Sequence, residues 1–367
     1  MQTHKSVVVM LTVFAFAQLS ARQQNVTEAL DGTDPVLLVQ GKDVLGKPEF
    51  RALHEGLEYL FASAETKAEF EKNPGKYAVQ FGGLCARMGR TASGNLSDYL
   101  VHEGKIYVFG SDDCHKAFAA APAKYLPPAP EPMPSDARAR QQGRARLDRA
   151  AAAIGGARLD EMTSYAETAI RIVRRMEAEI PETIRTIWRF PDAVRAERSL
   201  TLEGRLRSAA TLITREGGWY VSEGRSYPMV AAARANGAIE QERQLVPLLR
   251  ARTGRGVALA ALGRGTIEGI DVERVRVRRG GLDVTLGLDP SSARPRVLTY
   301  VDRNNQGEFG AFTILYDDYQ ATAGFNVPFR IKALFNEKPE ESQTLTVSNI
   351  EINPTVDGSL FNPPPGR

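Results

Sequence analysis

The sequence predicts an α+β protein in two parts: a small domain built by internal duplication, then one long antiparallel sheet, curved or closed. Two observations carry this. Residues 54–77 (HEGLEYLFASAETKAEFEKNPGKY) and 102–125 (HEGKIYVFGSDDCHKAFAAAPAKY) align without a gap at a constant offset of 48. An ungapped match at so many spaced positions marks a repeated supersecondary unit. Beyond Pro181, short alternating segments follow one another at hairpin spacing, separated by Gly- or Pro-rich turns. A length of 367 residues favours two domains, and 43% hydrophobic residues supply two modest cores. A net charge of +3 with no basic stripe interleaved with aromatics argues against nucleic acid as a partner.

The N-terminus reads as a secretory signal over residues 1–21. Lys5 precedes an apolar run, Val7 to Ala17, and small residues follow before Arg22. The alternative is an uncleaved anchor, although the run is short for a membrane span. No other stretch is long and apolar enough to cross a bilayer, so the mature chain is expected in the periplasm or secreted.

Residues 34–125 form the first domain. In each copy a Glu-Gly turn leads into a Tyr-x-Phe strand, a Ser N-cap (Ser63 or Ser111), a helix with one buried Phe (Phe70 or Phe118) and a Pro-x-Lys-Tyr ending. One such unit cannot bury its own apolar face, so two packed copies are expected. Tyr59, Phe61, Ser63, Phe70, Asn73, Pro74, Lys76 and Tyr77, with Gln80-Phe-Gly-Gly-Leu-Cys-Ala86 and Asp34-Pro35-Val36, make this segment resemble the YHS domain. Relatives of that module that bind heavy metals carry Phe-Cys-Ser-x-x-Cys at the strand-to-helix junction. Here the first copy has neither Cys and the second keeps only Cys114. Cys85, Cys114 and His115 could form a partial soft-metal site. Cys85 and Cys114 could instead pair as a disulfide, or remain buried thiols. No other cofactor is implied.

Residues 126–153 hold a proline-rich linker, Leu126 to Pro134, and an Arg/Ala-rich segment that reads as the start of a solvated helix. The second domain covers 155–367. Met162 to Glu179 is expected to be helical, with Tyr165, Ala169, Ile172, Val173 and Met176 on one face. Strands are expected at 183–189, 193–200, 206–214 and 219–221. A helical insertion at 230–252, broken at Gly237 and Pro247, separates these from strands at 265–277, 282–289, 294–302, 307–319, 325–335 and 342–353.

The order of Trp188-Arg-Phe-Pro-Asp-Ala-Val-Arg195, Gly218-Trp-Tyr-Val221, Gly269-Ile-Asp271, Tyr316-Asp-Asp-Tyr319 with Gly324-Phe-Asn-Val-Pro-Phe329, and the tail Asn349 to Pro363 resembles the LolA/LolB-like periplasmic lipoprotein-carrier superfamily. The resemblance implies an open half-barrel with a helical lid, its concavity accepting acyl chains. Trp188, Phe190, Trp219, Leu286, Leu288, Phe312, Ile314 and Phe329 are then candidate inner residues, each of which could equally fill a dry core.

The expected function is that of an exported, non-enzymatic protein holding an apolar or lipid-like ligand, with peripheral contact to membrane or lipoprotein. The alternative is metal handling through the first domain. The second domain has no His, which removes the commonest general base, and the adjacent Asp317 and Asp318 would point to opposite faces of a strand.

Overall fold

A computed structural model describes residues 27–89, 93–175 and 178–364. The segment read as a signal, together with Met176, lies outside the described residues. Among those described, no helix is long and apolar enough to cross a membrane.

Strand β1 (Thr27–Glu28) and helix α1 (Pro35–Val39) open the first domain. Asp34 caps α1: its Oδ1 accepts from the amides of Val36 and Leu37, and its Oδ2 accepts from Ala62 at the end of the first repeat's strand. The first repeat then runs β2 (Lys47–His54), β3 (Leu57–Phe61), α2 (Ala64–Lys72) and α3 (Pro74–Tyr77). The second has the same order in β4 (Asn95–His102), β5 (Lys105–Phe109), α4 (Asp112–Ala120) and α5 (Pro122–Tyr125). The correspondence extends to irregularities. Both Glu-Gly turns have positive φ at both central residues, the type I′ signature. Both hairpins break register at matching places, between Lys47 and Arg51 and between Asn95 and Tyr99. Ser63 accepts from the amide of Thr66, and Ser111 from that of Cys114.

The two copies share their cores. Tyr59, Phe61 and Phe70 pack with ring centroids 4.9 and 5.1 Å apart, and Tyr107, Phe109 and Phe118 repeat this at 5.0 and 5.3 Å. Strand β5 alternates between them: Tyr107 and Phe109 stay with their own helix, while Ile106 and Val108 cross into the core of the first copy.

The linker does not float. Arg276 and Arg278 of the large sheet hold Glu131, by its carboxylate at 2.9 Å and its carbonyl at 2.5 Å. The Arg/Ala-rich segment forms α6 (Ala137–Ile154), followed by α7 (Arg158–Glu161). Contrary to the solvated reading, Gly143, Leu147, Ala150, Ala151 and Ile154 bury one face of α6 against the sheet. At Gly143 the helix comes so near strand backbone that a Cβ would stand 3.0 Å from Ala260.

Met162 to Glu179 is not a helix. It contributes β6 (Ser164–Arg175) and the start of β7 (Ala178–Arg189). A spacing of four residues suits a helix face and a strand face alike, and Tyr165 and Ala169 share a face through the second of these. The chain meanders through β8 (Ala193–Leu202), β9 (Arg205–Ile213), β10 (Gly218–Ser222) and β11 (Arg225–Pro228). Helices α8 (Ala231–Glu242) and α9 (Leu245–Arg250) follow. Here α8 continues through Gly237, and the break falls at Arg243-Gln244. Then come β12 (Ala258–Ile267), β13 (Ile270–Arg279), β14 (Leu282–Leu288), β15 (Pro295–Arg303), β16 (Phe309–Thr322), β17 (Phe325–Phe335), β18 (Lys338–Pro339) and β19 (Leu345–Ile352).

The sheet has one path: β11-β10-β9-β8-β7-β6-β19-β17-β16-β15-β14-β13-β12, with β18 hydrogen-bonded to β17. Its pairings are antiparallel. The two edges, β11 and β12, are consecutive in the chain, and α8 and α9 bridge them. Ile213 from β9 and Leu259 from β12, near opposite edges, share one core with residues of the strands between. The sheet is therefore an open, curved half-barrel, and α6 and α9 fill its concavity with Leu147, Ile154, Leu245 and Leu249.

Candidate functional site

The space left by the helices lies at the mouth of the half-barrel, as a cavity of about 620 Å³. Its sheet wall is a cross-strand row: Trp188 pairs with Val194, which pairs with Ile213. Phe190 and Pro191 continue the wall, and Ala238 of α8 and Pro247 of α9 close the opposite side. Polar groups stand around it: Asp192, Arg215, Glu242, Arg250 and Arg279. The Arg250 guanidinium lies 4.3 Å over the Phe190 ring, and its Nε donates to the Met162 carbonyl at 3.1 Å. Desolvation pulls the pKa of Arg250 below its ordinary value. Among the described residues the buried indole N–H of Trp188 has no hydrogen-bond partner.

The eight residues expected to line the concavity divide into four groups. Trp188 and Phe190 line the mouth cavity. Leu286, Leu288 and Ile314 are buried in the packed core beneath the helices, and Phe329 is half-buried against it. Phe312 is fully buried between Tyr300 and Phe335, at centroid distances of 5.2 and 5.0 Å. Trp219 is not an inner residue. It belongs to the row Ala166–Ile187–Arg195–Leu212–Trp219 on the outer face, where Val356, Leu360 and Phe361 of the tail cover it. Sequence reading missed Val194 and Ile213, which the hairpin registers place beside Trp188. It also missed Arg250, which no local pattern connects to Phe190.

Of the alternatives open for the cysteines, the structure shows buried thiols. Cys85 and Cys114 are both free and buried, so no disulfide joins them. Cys85 Sγ accepts from the Met88 amide at 3.5 Å, and Arg87 approaches Cys114 Sγ at 4.0 Å. His115 Nδ1 lies 2.6 Å from Asp98 Oδ1, and its ring stacks on Phe109 at 4.5 Å. Among the described residues, no group of three or more His, Cys, Asp or Glu side chains could hold a metal ion. Cys85 and Cys114 lie in the core of the second repeat, and the His115 ring is held by Asp98. Asp317 and Asp318 are exposed, and Asp318 has a φ of 53°.

One carboxyl does enter the half-barrel. Glu167 shares the concave face with Tyr165, whose hydroxyl donates to its Oε2 at 2.8 Å, beside a cavity of about 20 Å³ next to α9. Burial raises the Glu167 pKa above the usual carboxylate value, against the lowering effect of the Tyr165 bond. In the window between the ordinary and the raised value the folded chain binds more protons than the unfolded chain. Stability therefore falls as pH rises through that window. Glu167→Gln is expected to raise the melting temperature at pH 8 and leave it nearly unchanged at pH 4. Equal shifts at both pH values would contradict this account.

No known family profile matches the chain, and no curated protein does. Solved structures with a similar fold include a LolA superfamily protein from Nitrosomonas europaea, 15% identical, with a TM-score of 0.40 over 60% of this chain and 97% of that one. A domain assigned to outer membrane lipoprotein sorting from Vibrio parahaemolyticus is 11% identical, with a TM-score of 0.40 over 61% and 97%. A DUF1329 family protein from Desulfovibrio piger is 9% identical, with a TM-score of 0.35 over 60% and 97%.

Proposed function

We propose that this chain is an exported, non-enzymatic binding protein whose half-barrel carries an apolar, lipid-like ligand in its mouth, and that it meets a membrane or lipoprotein peripherally. The observation that carries this is the cavity of about 620 Å³ walled by Trp188, Phe190, Val194 and Ile213. It is concave, largely apolar and of the size that receives a small-molecule ligand, about 300–1,000 Å³. Its helical side, α8 and α9, is the segment joining the two open edges of the sheet. That segment can shift without unpairing a strand. The first domain is read as a YHS-type module that braces this lid: Gly82 lies so close to α8 that a Cβ there would stand 2.6 Å from Ala232 Cβ. Export rests on the N-terminal segment.

The test is direct. Protein purified from its native compartment and extracted with organic solvent is expected to release lipid detectable by mass spectrometry. The emptied protein is expected to bind a polarity-sensitive apolar fluorophore saturably, with quenching of Trp188. Absence of both lipid and fluorophore binding would overturn the proposal.

A further inference from the structure

The cavity wall is apolar, but its charges are unevenly satisfied. Three buried or half-buried arginines elsewhere in this domain have carboxylate partners: Arg243 with Asp302 at 2.7 Å, Arg252 with Asp160 at 2.8 Å, and Arg276 with Asp283 at 2.7 Å. The three that line the mouth, Arg215, Arg250 and Arg279, have no carboxylate within ion-pair distance among the described residues. Arg250 is the most telling. It is half-buried, its Nε is taken by a carbonyl, one face of its guanidinium is covered by Phe190, and desolvation outweighs the stabilising influence of Asp160. A cation held this way carries a desolvation cost that an anion brought by a ligand would offset. The unpartnered Trp188 N–H in the same wall is a second donor awaiting an acceptor, since buried polar groups are normally bonded.

We infer that the mouth cavity takes an amphiphile with an anionic end group, its apolar part on Trp188, Phe190 and Ile213 and its carboxylate or phosphate oxygens on Arg250 and Arg279. This rests on the reading above that the cavity holds an apolar ligand. Asp192 and Glu242 on the same lining would repel a second negative charge, which favours a small, singly charged head over a polyanionic one.

The experiment uses the mature full-length protein with a fluorescent fatty acid and its methyl ester, which share the apolar part and differ in the charge. The acid is expected to bind about tenfold more tightly than the ester, roughly the size of one charge-assisted hydrogen bond. Arg250→Gln should abolish the preference while leaving ester binding in place. Arg279→Gln, at a half-exposed position with no ion-pair partner, should weaken acid binding several-fold even if the Arg250 variant fails to fold. Competition with lysophosphatidic acid and with unlabelled oleate tells a phosphate head from a carboxylate. Equal binding of acid and ester, or a preference that survives both substitutions, would overturn the inference while leaving the carrier reading intact. If neither probe binds, the carrier reading falls and takes this one with it.

Discussion

Arg303→Ala is expected to separate the melting of the two domains. Arg303 projects from β15 and is only 4% exposed. Its Nη1 donates to the carbonyls of Ala86 and Arg87 at 2.7 Å each, and its Nη2 to that of Tyr125 at 3.2 Å. The guanidinium also lies 4.7 Å from the centre of the Phe81 ring and 4.6 Å from that of Phe309. One side chain from the sheet thus binds the backbone of the first domain at two points, Ala86-Arg87 between the repeats and Tyr125 at the end of the second, and its aromatic contacts come from both domains. Truncation leaves three carbonyls to find water in a closed interface, at a cost of about 3–5 kcal/mol. Calorimetry of the parent should show one transition, and the variant should show two, the earlier one belonging to residues 34–125. Arg303→Lys, which can still donate but cannot stack as a plane, should fall between. Gly307→Ala should act in the same direction. Its φ is +84°, and a Cβ there would stand 1.9 Å from the Arg87 carbonyl oxygen, so the interface would have to open. A single unchanged transition in both variants would refute this view of the domain contact.

Leu249→Ala should be the most damaging conservative change in the lid. Leu249 is fully buried, and α9 sets it among Leu245, Leu248 and the inner faces of the strands. Removing its side chain creates a void in a packed core, costing about 2–5 kcal/mol. Denaturant unfolding measures this directly. Leu206→Ala, at a residue 72% exposed on β9, is the matched control and should change stability by no more than about 0.5 kcal/mol. A Leu249 variant as stable as the control would mean that α9 does not plug the concavity.

What could be read in the chain, and what could not, follows from the range of each signal. The repeat was legible down to its Ser caps, its Glu-Gly turns and its paired aromatics, because these are local devices and recur at one offset. Most strands were legible from alternation between turns, but Gly265 to Val277, taken as one strand, is two, joined at Glu268-Gly269. The segment after Met162 was misread because a four-residue spacing fits both periods. The helix was in the Arg/Ala-rich stretch before it, where small residues bury a face that composition alone makes look solvated.

The candidate site shows the same limit. Alternation states which residues of a strand share a face, and Trp188 was selected as an inner residue of the expected half-barrel. It does not state which face is concave, so Trp219, on the outer face, was selected with it. The thiols of Cys85 and Cys114 were visible as chemistry, but only the fold shows both sunk in the second repeat's core and unpaired. By itself the sequence determined most of the elements and the duplication, because backbone periodicity and capping act over a few residues. Only the tertiary structure decided that a helical bridge between the two sheet edges brings Arg250 onto Phe190 and leaves a cavity beside Trp188. That convergence depends on how far the sheet curves and how two helices fill it, which no local spacing records.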